Sequence, residues 1–462
     1  MSYFKSIDRR RAGNFKFAAI LFVALSFFAA PAAAQTGTVD NIAKQAASVT
    51  EFEVNGLKVL VKRREAAPTV AAGLFLRGGV RNQTPATAGI ENFALAVATE
   101  AGKKFPRQAL RRELSRTGSS LSSGSSRDYS AVSFASTREH FDRIWELFSD
   151  VITEPAFAAP DVERVRQQII SGLREAETVP DAALQSAQER VIHAGHPYAV
   201  DPSGTIANIS RFTTKDLADY FRDSMQTSRL LLVVVGDIDA DELRAKVSST
   251  FGKLPRGSHK AVAIEPLKFV EPTVDITPRT ILTNYVQGSF AAPSLKDADY
   301  FPMRVAMTIL QQRIYEEVRV KRQLSYAPNA ELNNYAANTG KIYVTAVDAT
   351  RAVSVMLQEI TNLKETPVQD QMISGMAGQF LTNYYVGQET NAAQAAELAR
   401  YELIGGGWRN SFEFLNRIRA VTAKDVQNVA NKYMKNLRFV VIGNPRAVDE
   451  AVFTSTGEAV VE

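Results

Sequence analysis

The stretch from Thr87 to Gly102, TAGIENFALAVATEAG, decides how the rest of this 462-residue chain is interpreted. Phe93, Leu95 and Val97 stand among small residues, mostly alanines, in a segment without proline. This composition predicts a buried helix. On its own the stretch carries no catalytic group, so its meaning depends on the other motifs of the chain.

The first 34 residues have the features of a secretory signal peptide. Five basic residues between Lys5 and Lys16 precede an apolar run from Phe17 to Ala29, and Ala32–Ala34 form a small-residue cleavage site before Gln35. The apolar run is too short for a transmembrane helix, and no cysteine is present to carry a lipid. The leader therefore predicts export to a bacterial periplasm without a stable membrane anchor.

The composition argues against two classes of partner and one class of metal site. Hydrophobic residues make up 45% of the chain and charged residues 22%, as in globular proteins, and 462 residues are enough for two or three domains. Without the leader's five Lys and Arg and one Asp, the mature chain has 49 basic and 48 acidic residues. A net charge of +1 does not predict nucleic acid or an anionic membrane as a partner. The absence of cysteine excludes disulfides and thiolate zinc sites.

Turn, strand and helix signals alternate along the mature chain. Residues 51–62 read as a hairpin around Asn55-Gly56, and Val70–Leu76 and Leu230–Val235 read as strands. Helices are predicted over residues 108–116, 139–151, 161–177, 214–225 and 239–251.

A proline-containing polar stretch divides the chain. Residues 258–278 are predicted to link an N-terminal domain, residues 35–257, to a C-terminal domain, residues 279–462. Phe212–Asp216 (FTTKD) followed by Arg229 parallels Val421–Asp425 (VTAKD) followed by Arg438, at an offset of 209 residues. Each copy leads into an apolar strand. The repeat predicts an α+β fold of two tandem homologous domains, each a mostly antiparallel sheet covered by helices.

Five segments, in this order and spacing, resemble those of the M16 peptidase family, the group of pitrilysin, insulinase and mitochondrial processing peptidase. They are Gly78–Asn82 leading to Gly89, Asp161–Ile170, His196–Tyr198 with Gly204-Thr205, Phe251–Pro255, and Arg319–Tyr326. The resemblance covers nearly all of the mature chain and implies the M16, or LuxS-like metallohydrolase, fold.

The family's metal motif is missing from this chain. In the family, His-x-x-Glu-His on one helix supplies two zinc ligands and a carboxylate that activates water. The aligned residues here are Asn92, Leu95 and Ala96, and the third ligand, a glutamate on a later helix, aligns with Gly172. Leu, Ala and Gly cannot bind zinc through a side chain. The resemblance therefore implies an M16B-type non-catalytic subunit that binds no metal itself.

Arg319 and Tyr326 match the family's arginine-tyrosine signature. The resemblance implies that they hydrogen-bond substrate and the oxyanion of the tetrahedral intermediate, across a closed chamber from zinc. A fixed guanidinium and phenol can stabilise developing negative charge where water is excluded. Without the resemblance, Arg319 reads as a helix-end cation and Tyr326 as a half-buried aromatic residue.

The segment Ser122, Ser123, Gly124 and Ser125 lies where the family pairs an edge strand with extended substrate. Serine and glycine replace the usual Asn-Ala-containing pattern. Two interpretations stay open, namely a looser substrate-binding edge strand and a surface loop.

Two of the four histidines, His193 and His196, are close enough in sequence to suggest a pair of metal ligands. No further histidine or carboxylate frame accompanies them, so structural packing before Pro197 is the favoured interpretation.

The resemblance predicts the non-catalytic subunit of a periplasmic heterodimeric zinc metallopeptidase. A partner subunit with an intact His-x-x-Glu-His motif would hold zinc, and Arg319 and Tyr326 would act at that site on an unfolded peptide. The alternative is a catalytically inert scaffold or peptide-binding protein with a peptidase fold, in which changes to these two residues alter no phenotype.

Overall fold

The N-terminal half is built on a six-stranded sheet. The computed structural model of the chain describes residues 44 and 46–455, and the predicted leader, residues 1–34, lies outside them. The spatial order of the strands is β1-β2-β6-β3-β5-β4; β2 and β6 are parallel and the other neighbours are antiparallel. The strands are β1 (Val49–Val54), β2 (Leu57–Arg63), β3 (Thr69–Arg77), β4 (Ser120–Ser125), β5 (Tyr129–Thr137) and β6 (Leu230–Gly236).

The predicted hairpin is confirmed. Asn55 and Gly56 connect β1 to β2 with φ angles of 50° and 85°, a left-handed conformation that asparagine and glycine adopt more readily than other residues.

The C-terminal half is built on a five-stranded sheet in the order β7-β11-β8-β10-β9. Again one pair, β7 and β11, is parallel and the other neighbours are antiparallel. The strands are β7 (Thr273–Pro278), β8 (Asn284–Ala292), β9 (Asn329–Leu332), β10 (Asn338–Ala346) and β11 (Arg438–Gly443). The order and directions repeat those of β2-β6-β3-β5-β4, so the predicted pair of homologous, mostly antiparallel sheets is confirmed.

The linker is shorter in the structure than the predicted residues 258–278, because its last six residues form β7. Thr273–Pro278 pairs in parallel with β11, which lies far along the chain. A strand whose partner is so distant in sequence carries no local hairpin signal.

Helices cover both sheets. Those of the N-terminal half are α1 (Ile90–Ala98), α2 (Arg107–Thr117), α3 (Phe141–Thr153), α4 (Ala159–Thr178), α5 (Pro180–Ile192), α6 (Ile206–Arg211), α7 (Thr214–Ser224) and α8 (Ala240–Ser249). Those of the C-terminal half are α9 (Tyr300–Ile314), α10 (Ala349–Glu365), α11 (Asp370–Gly387), α12 (Asn391–Ile404), α13 (Phe414–Arg419), α14 (Ala423–Tyr433) and α15 (Glu450–Phe453). Within the described residues, none of these helices has the length and apolar character needed to cross a membrane.

The repeated sequence segment forms the same capped helix in each half. Thr213 accepts a hydrogen bond from the backbone N–H of Asp216, whose carboxylate accepts one back from the Thr213 N–H, and Thr422 and Asp425 do the same. These capping boxes begin α7 and α14, which precede the interior strands β6 and β11.

Each half supplies one helix to the other half's sheet. α5 packs on β8 and β11, where Leu184 and Ala187 join Val440 and Ile442 in one apolar cluster. α12 packs on β3 and β6 in return. The Nε2 of Gln188 donates a hydrogen bond of 2.9 Å to the backbone oxygen of Arg438, the first residue of β11. Because of this exchange, residues 44–455 form one compact unit around two apolar cores.

Candidate functional site

The buried helix predicted from the opening stretch is α1, in the core of the N-terminal half. Phe93, Leu95 and Val97 are each at most 1% exposed. Asn92 and Ala96, four residues apart and thus on one face of the helix, are partly exposed. The position of the family's general base is therefore a leucine held in the apolar core.

The third ligand position, Gly172, lies on α4, which packs against α1. Gly172 is exposed, and a Cβ there would meet no other atom within 4 Å. Of the three ligand positions, Asn92 alone offers a side-chain ligand atom. Within residues 44 and 46–455, no group of three or more His, Asp and Glu side chains is placed to hold a metal ion. The residues present do not fit the family's zinc ion.

Ion pairs connect the helices that carry these positions. Glu100, just beyond α1, lies 2.5 Å from Arg164 of α4, 2.9 Å from Arg111 and 3.0 Å from Arg107 of α2. Burial opposes ionisation of Glu100, but hydrogen bonds from the three arginines outweigh it and lower its pKa. The carboxylate thus connects α1 to α4 and α2 without a metal.

Beneath α1 lies a buried polar cluster that the sequence pattern did not identify. Glu91 is 1% exposed and forms an ion pair with Arg229. The Tyr220 hydroxyl donates to the same carboxylate at 2.7 Å, as does the hydroxyl of Ser130. Burial, followed by the Glu91 charge, raises the pKa of Tyr220 and keeps it protonated. The sequence offered one signal for this cluster. Arg229 and Arg438 occupy equivalent positions in the repeat, which indicates that the arginine at this position has a structural role.

The Ser/Gly segment is a strand, not a surface loop. Ser122–Ser125 belong to β4, which pairs with β5 on one side, forms the edge of the sheet on the other, and lies beside α1. The Ser122 and Ser133 hydroxyls are 3.1 Å apart across the pair. In the part of the chain that the structure describes, no side chain hydrogen-bonds to the backbone of these four residues. The edge can therefore accept another extended chain.

The corresponding edge of the C-terminal sheet is covered by side chains of α9. The Gln311 side chain accepts a hydrogen bond from the Ala330 N–H of β9 and donates to the Pro328 oxygen at 3.4 Å. Arg304 reaches the oxygen of Leu332, the last residue of β9, at 3.5 Å. The β9 edge is therefore less open to strand addition than the β4 edge.

Arg319 and Tyr326 are brought together at the end of α9. The helix continues as a π-helix over Tyr315–Lys321, and the chain turns back after Gln323, whose φ is 54°. The guanidinium carbon of Arg319 lies 4.1 Å from the centroid of the Tyr326 ring and 5.1 Å from that of Tyr315. This is the geometry of a cation–π contact.

The Arg319 and Tyr326 pair faces solvent. The Tyr326 side chain is 78% exposed, more than the half-buried position expected from the sequence without the resemblance. Among the described residues, no carboxylate forms an ion pair with Arg319. The chain thus presents a positive charge and a phenol that are fixed against each other and not neutralised.

The two candidate histidine ligands contribute to packing. His193 is buried, and its Nδ1 is 3.0 Å from Oε2 of Glu189. Burial lowers the pKa of His193, so its ring is neutral at pH 7. The Nε2 of His196 is 3.0 Å from the backbone oxygen of Glu265.

Next to the histidines, Tyr198 joins the halves. Its hydroxyl donates to Asp128, whose other carboxylate oxygen accepts from the Ala336 N–H of the β9–β10 turn at 3.0 Å. The turns that follow the two edge strands therefore meet at one buried carboxylate.

A cleft of about 750 Å³ opens beside these elements. We call it the N-terminal cleft; α4, α5 and the segment 199–207 form its walls, and Arg279 and Ile442 of the C-terminal half close it. Its lining is mostly apolar and rich in alanine. Such a cleft has room for side chains of an extended peptide.

Two family models match successive parts of the chain. Residues 58–199 match the model described as insulinase (peptidase family M16), and residues 211–377 match the peptidase M16 inactive domain. The chain belongs to the M16 peptidase family. Among curated relatives, this M16 chain is 23% identical to the mitochondrial-processing peptidase subunit beta of Blastocladiella emersonii, over 84% of the chain and 87% of that protein. It is 20% identical to an uncharacterized zinc protease of Rickettsia felis, over 85% of the chain and 96% of that protein.

Three solved structures have the same fold. A protease from Helicobacter pylori matches with a TM-score of 0.77 and 16% identity, over 86% of this chain and 99% of its own. The peptidase M16 inactive domain from Pseudomonas fluorescens matches with a TM-score of 0.76 and 18% identity, over 86% and 98%. The first half of the periplasmic protease PqqL from Escherichia coli matches with a TM-score of 0.71 and 15% identity, over 88% and 95%. The predicted fold of this M16 chain is thereby confirmed.

Proposed function

We propose that this M16 chain is the non-catalytic subunit of a periplasmic heterodimeric zinc metallopeptidase. The observation that carries the proposal is the contrast between the two halves. The metal-ligand positions of the N-terminal half hold Asn92, Ala96 and Gly172, whereas the C-terminal half presents Arg319, partly exposed, in contact with the exposed Tyr326. The partner subunit would carry the intact His-x-x-Glu-His helix and its zinc.

Arg319 and Tyr326 are suited to bind a peptide carbonyl whose oxygen becomes negative during hydrolysis. A guanidinium without a carboxylate partner is free to donate to that oxygen, and the stacked phenol can donate beside it. The positive charge also favours the oxyanion over the neutral carbonyl, which is the condition for lowering an activation barrier rather than only binding substrate.

The N-terminal half would bind the peptide without cleaving it. Ser122, Ser123, Gly124 and Ser125 offer free backbone groups on the β4 edge, and the N-terminal cleft offers apolar room for side chains. An unfolded peptide is the ligand that this combination fits, because pairing to a strand edge requires an extended backbone.

The subunit role and the compartment rest on two further features. A relative with 23% identity is named as a subunit of a processing peptidase, and the leader at residues 1–34 predicts export. No zinc or other cofactor is proposed for this chain itself.

The test uses a quenched unstructured peptide and three samples. They are this chain, an exported M16 chain of the same genome with an intact His-x-x-Glu-His motif, and their mixture. We expect cleavage in the mixture alone, with loss of activity when zinc is removed from the partner. Full activity of the partner by itself would contradict the proposal and favour an inert scaffold or peptide-binding protein.

A further inference from the structure

The C-terminal half contains a pocket of about 200 Å³ that the proposed function does not use. We call it the C-terminal pocket; it lies between α9, α11 and α12. Its lining combines the hydroxyl-bearing rings of Tyr300, Tyr384 and Tyr401 with side-chain amides and two arginines. A lining of this kind binds a small polar group better than an apolar one.

The C-terminal pocket occupies the place that corresponds to the degenerate metal site. α1 follows β3 and precedes β4, and α9 follows β8 and precedes β9. Each helix has two partly exposed residues four apart within a buried run, Asn92 and Ala96 on α1 and Arg304 and Thr308 on α9. Both Arg304 and Thr308 line the pocket.

The third position corresponds as well. α4 faces its core with Val165, Ile169 and Leu173. α11 faces its core with Met376 and Phe380, and Tyr384 continues this row and stacks on Phe414. Gly172 directly precedes Leu173, and Asn383 directly precedes Tyr384, so the two residues occupy equivalent positions. Asn383 lines the C-terminal pocket. The duplicated helices thus form a pocket at a position where the other half has lost its ligands.

The charges of the C-terminal pocket do not balance. Arg400 forms an ion pair with Glu397, but its buried Nε has no hydrogen-bond partner. Arg304 is half-buried and has no carboxylate partner among the described residues; the oxygen of Leu332, at 3.5 Å, is its one protein acceptor. The lining therefore carries one uncompensated positive charge and several free guanidinium N–H donors.

Both guanidinium groups, on α9 and α12, line the same pocket as the Tyr300 ring. Burial raises the pKa of the Tyr300 hydroxyl; the charges of Arg304 and Arg400 oppose that rise, and the charge of Glu397 adds to it. Glu397 is already paired with Arg400, so the charge of Arg304 is left over. Two guanidinium groups in one pocket match a carboxylate, which accepts charge-assisted hydrogen bonds from them.

We propose that the C-terminal pocket binds a carboxylate of a peptide, carried either by an Asp or Glu side chain or by the C-terminal residue. A volume of about 200 Å³ corresponds to roughly seven waters, enough for one side chain or one chain end and too small for a longer segment. The inference rests on the proposed function only for the choice of a peptide as the ligand. The pocket would anchor the peptide away from Arg319 and Tyr326.

The test measures binding to this chain alone by fluorescence anisotropy. The probe is a short unstructured peptide, labelled at its N-terminus, with one glutamate and a free C-terminus. We expect Arg304→Ala to weaken binding at least about tenfold, or about 1.4 kcal/mol. Arg313→Ala, on the same helix outside the pocket, should bind as the wild type does. Equal denaturation midpoints of the two variants would show that both fold.

Two modified probes distinguish the sources of the carboxylate. If amidation of the probe's C-terminus abolishes the effect of Arg304→Ala on binding, the pocket binds the C-terminal carboxylate. If replacing the probe's glutamate with glutamine abolishes that effect, the pocket binds the side-chain carboxylate. A probe that lacks both carboxylates should bind at least about tenfold more weakly than the parent. Equal binding of that neutral probe, or of the Arg304→Ala variant, would overturn the inference.

The two proposals fail separately. In the assembled peptidase, Arg304→Ala should raise KM with little change in kcat, whereas Arg319→Ala should lower kcat. If Arg304→Ala does not change peptide binding, the carboxylate pocket is contradicted but the proposed shared active site is not. If the partner subunit is fully active alone, the proposed shared active site is contradicted, but peptide binding to the C-terminal pocket is not.

Discussion

The two edge strands, β4 and β9, show how the duplicated halves diverged. Each strand ends its sheet, and β4 lies beside α1 as β9 lies beside α9. The backbone of β4 is free of side-chain hydrogen bonds in the described structure, whereas Gln311 and Arg304 cover the edge of β9. The half with the open edge has lost the metal ligands, and the half with the covered edge presents Arg319 and Tyr326. On the proposed function, the N-terminal half binds an extended peptide and the C-terminal half stabilises charge.

The repeated arginines show the same divergence in the interior. Arg229 is paired with the buried carboxylate of Glu91, which also accepts hydrogen bonds from Tyr220 and Ser130. Arg438 instead donates to the backbone oxygen of Val191 at 3.1 Å. The guanidinium of Arg438 also lies 4.7 Å from the centroid of the Phe269 ring. The same residue at the corresponding place therefore forms a buried ion pair in one half and, in the other, a hydrogen bond to α5 and a cation–π contact.

Glu91→Ala should give the largest effect on stability. It leaves the buried guanidinium of Arg229 without a counter-charge, at a cost of about 3–5 kcal/mol in the free energy of unfolding. Arg438→Ala removes one hydrogen bond to a carbonyl and a contact with the Phe269 ring, but leaves no buried charge unpaired, and should cost only about 1–2 kcal/mol. Urea denaturation of both variants measures the difference. Losses of equal size would show that the two halves do not differ in this way.

Proline substitutions in β4 should give a smaller effect, on substrate binding. Adjacent N–H groups of a strand point in opposite directions. One of the two variants, Ser122→Pro and Ser123→Pro, therefore interrupts pairing with β5, and the other removes a hydrogen-bond donor only from the open edge. The variant that affects only the open edge should keep the stability of the wild type. It should raise KM of the assembled peptidase roughly fivefold, the worth of about one hydrogen bond.

The control for the two proline variants is Gly124→Ala. The added Cβ meets no atom within 4 Å, and the substitution keeps the backbone N–H group. Its KM should equal that of the wild type. Unchanged KM in both proline variants would exclude the β4 edge as a peptide-binding strand.

Glu100→Gln should give the smallest effect, and one that depends on pH. The pKa of Glu100 is lowered in the folded chain, so its stabilisation is present above the unfolded value of about 4.5 and is lost as the pH falls through the folded pKa. At pH 7 the variant should be less stable by about 1 kcal/mol, and the difference from wild type should shrink below about pH 4.5. A difference that is constant down to acid pH would contradict the ion-pair connection between α1 and α4.

Local patterns predicted most of the fold. The Asn55-Gly56 turn, the apolar run at Leu230 and the helix predicted over residues 214–225 each depend on nearby residues, and all appear in the structure. β7 fell within the predicted linker because its partner is distant in sequence. α5 was not predicted, since its apolar face is buried by the other half's sheet rather than by its own.

The candidate site was predicted unevenly, for similar reasons. The absence of the family's His and Glu ligands at Asn92, Ala96 and Gly172 can be read directly from the residues. The open edge of β4 cannot, because it depends on which side chains approach the strand. Glu91 appeared as one polar residue in an apolar helix, and its partners Arg229 and Tyr220 are distant in sequence. The exposure of Tyr326 follows from the π-helix and the turn at Gln323, neither of which has a clear sequence signal.

The most direct measurement is kcat of the assembled peptidase with Arg319→Ala, beside Arg322→Ala as a control. Arg322 is close in sequence but is paired with Glu317, so its loss should not change kcat. We expect Arg319→Ala to lower kcat tenfold or more, a loss of at least about 1.4 kcal/mol of transition-state stabilisation. An unchanged kcat would contradict the shared active site and show that this M16 chain serves as a scaffold.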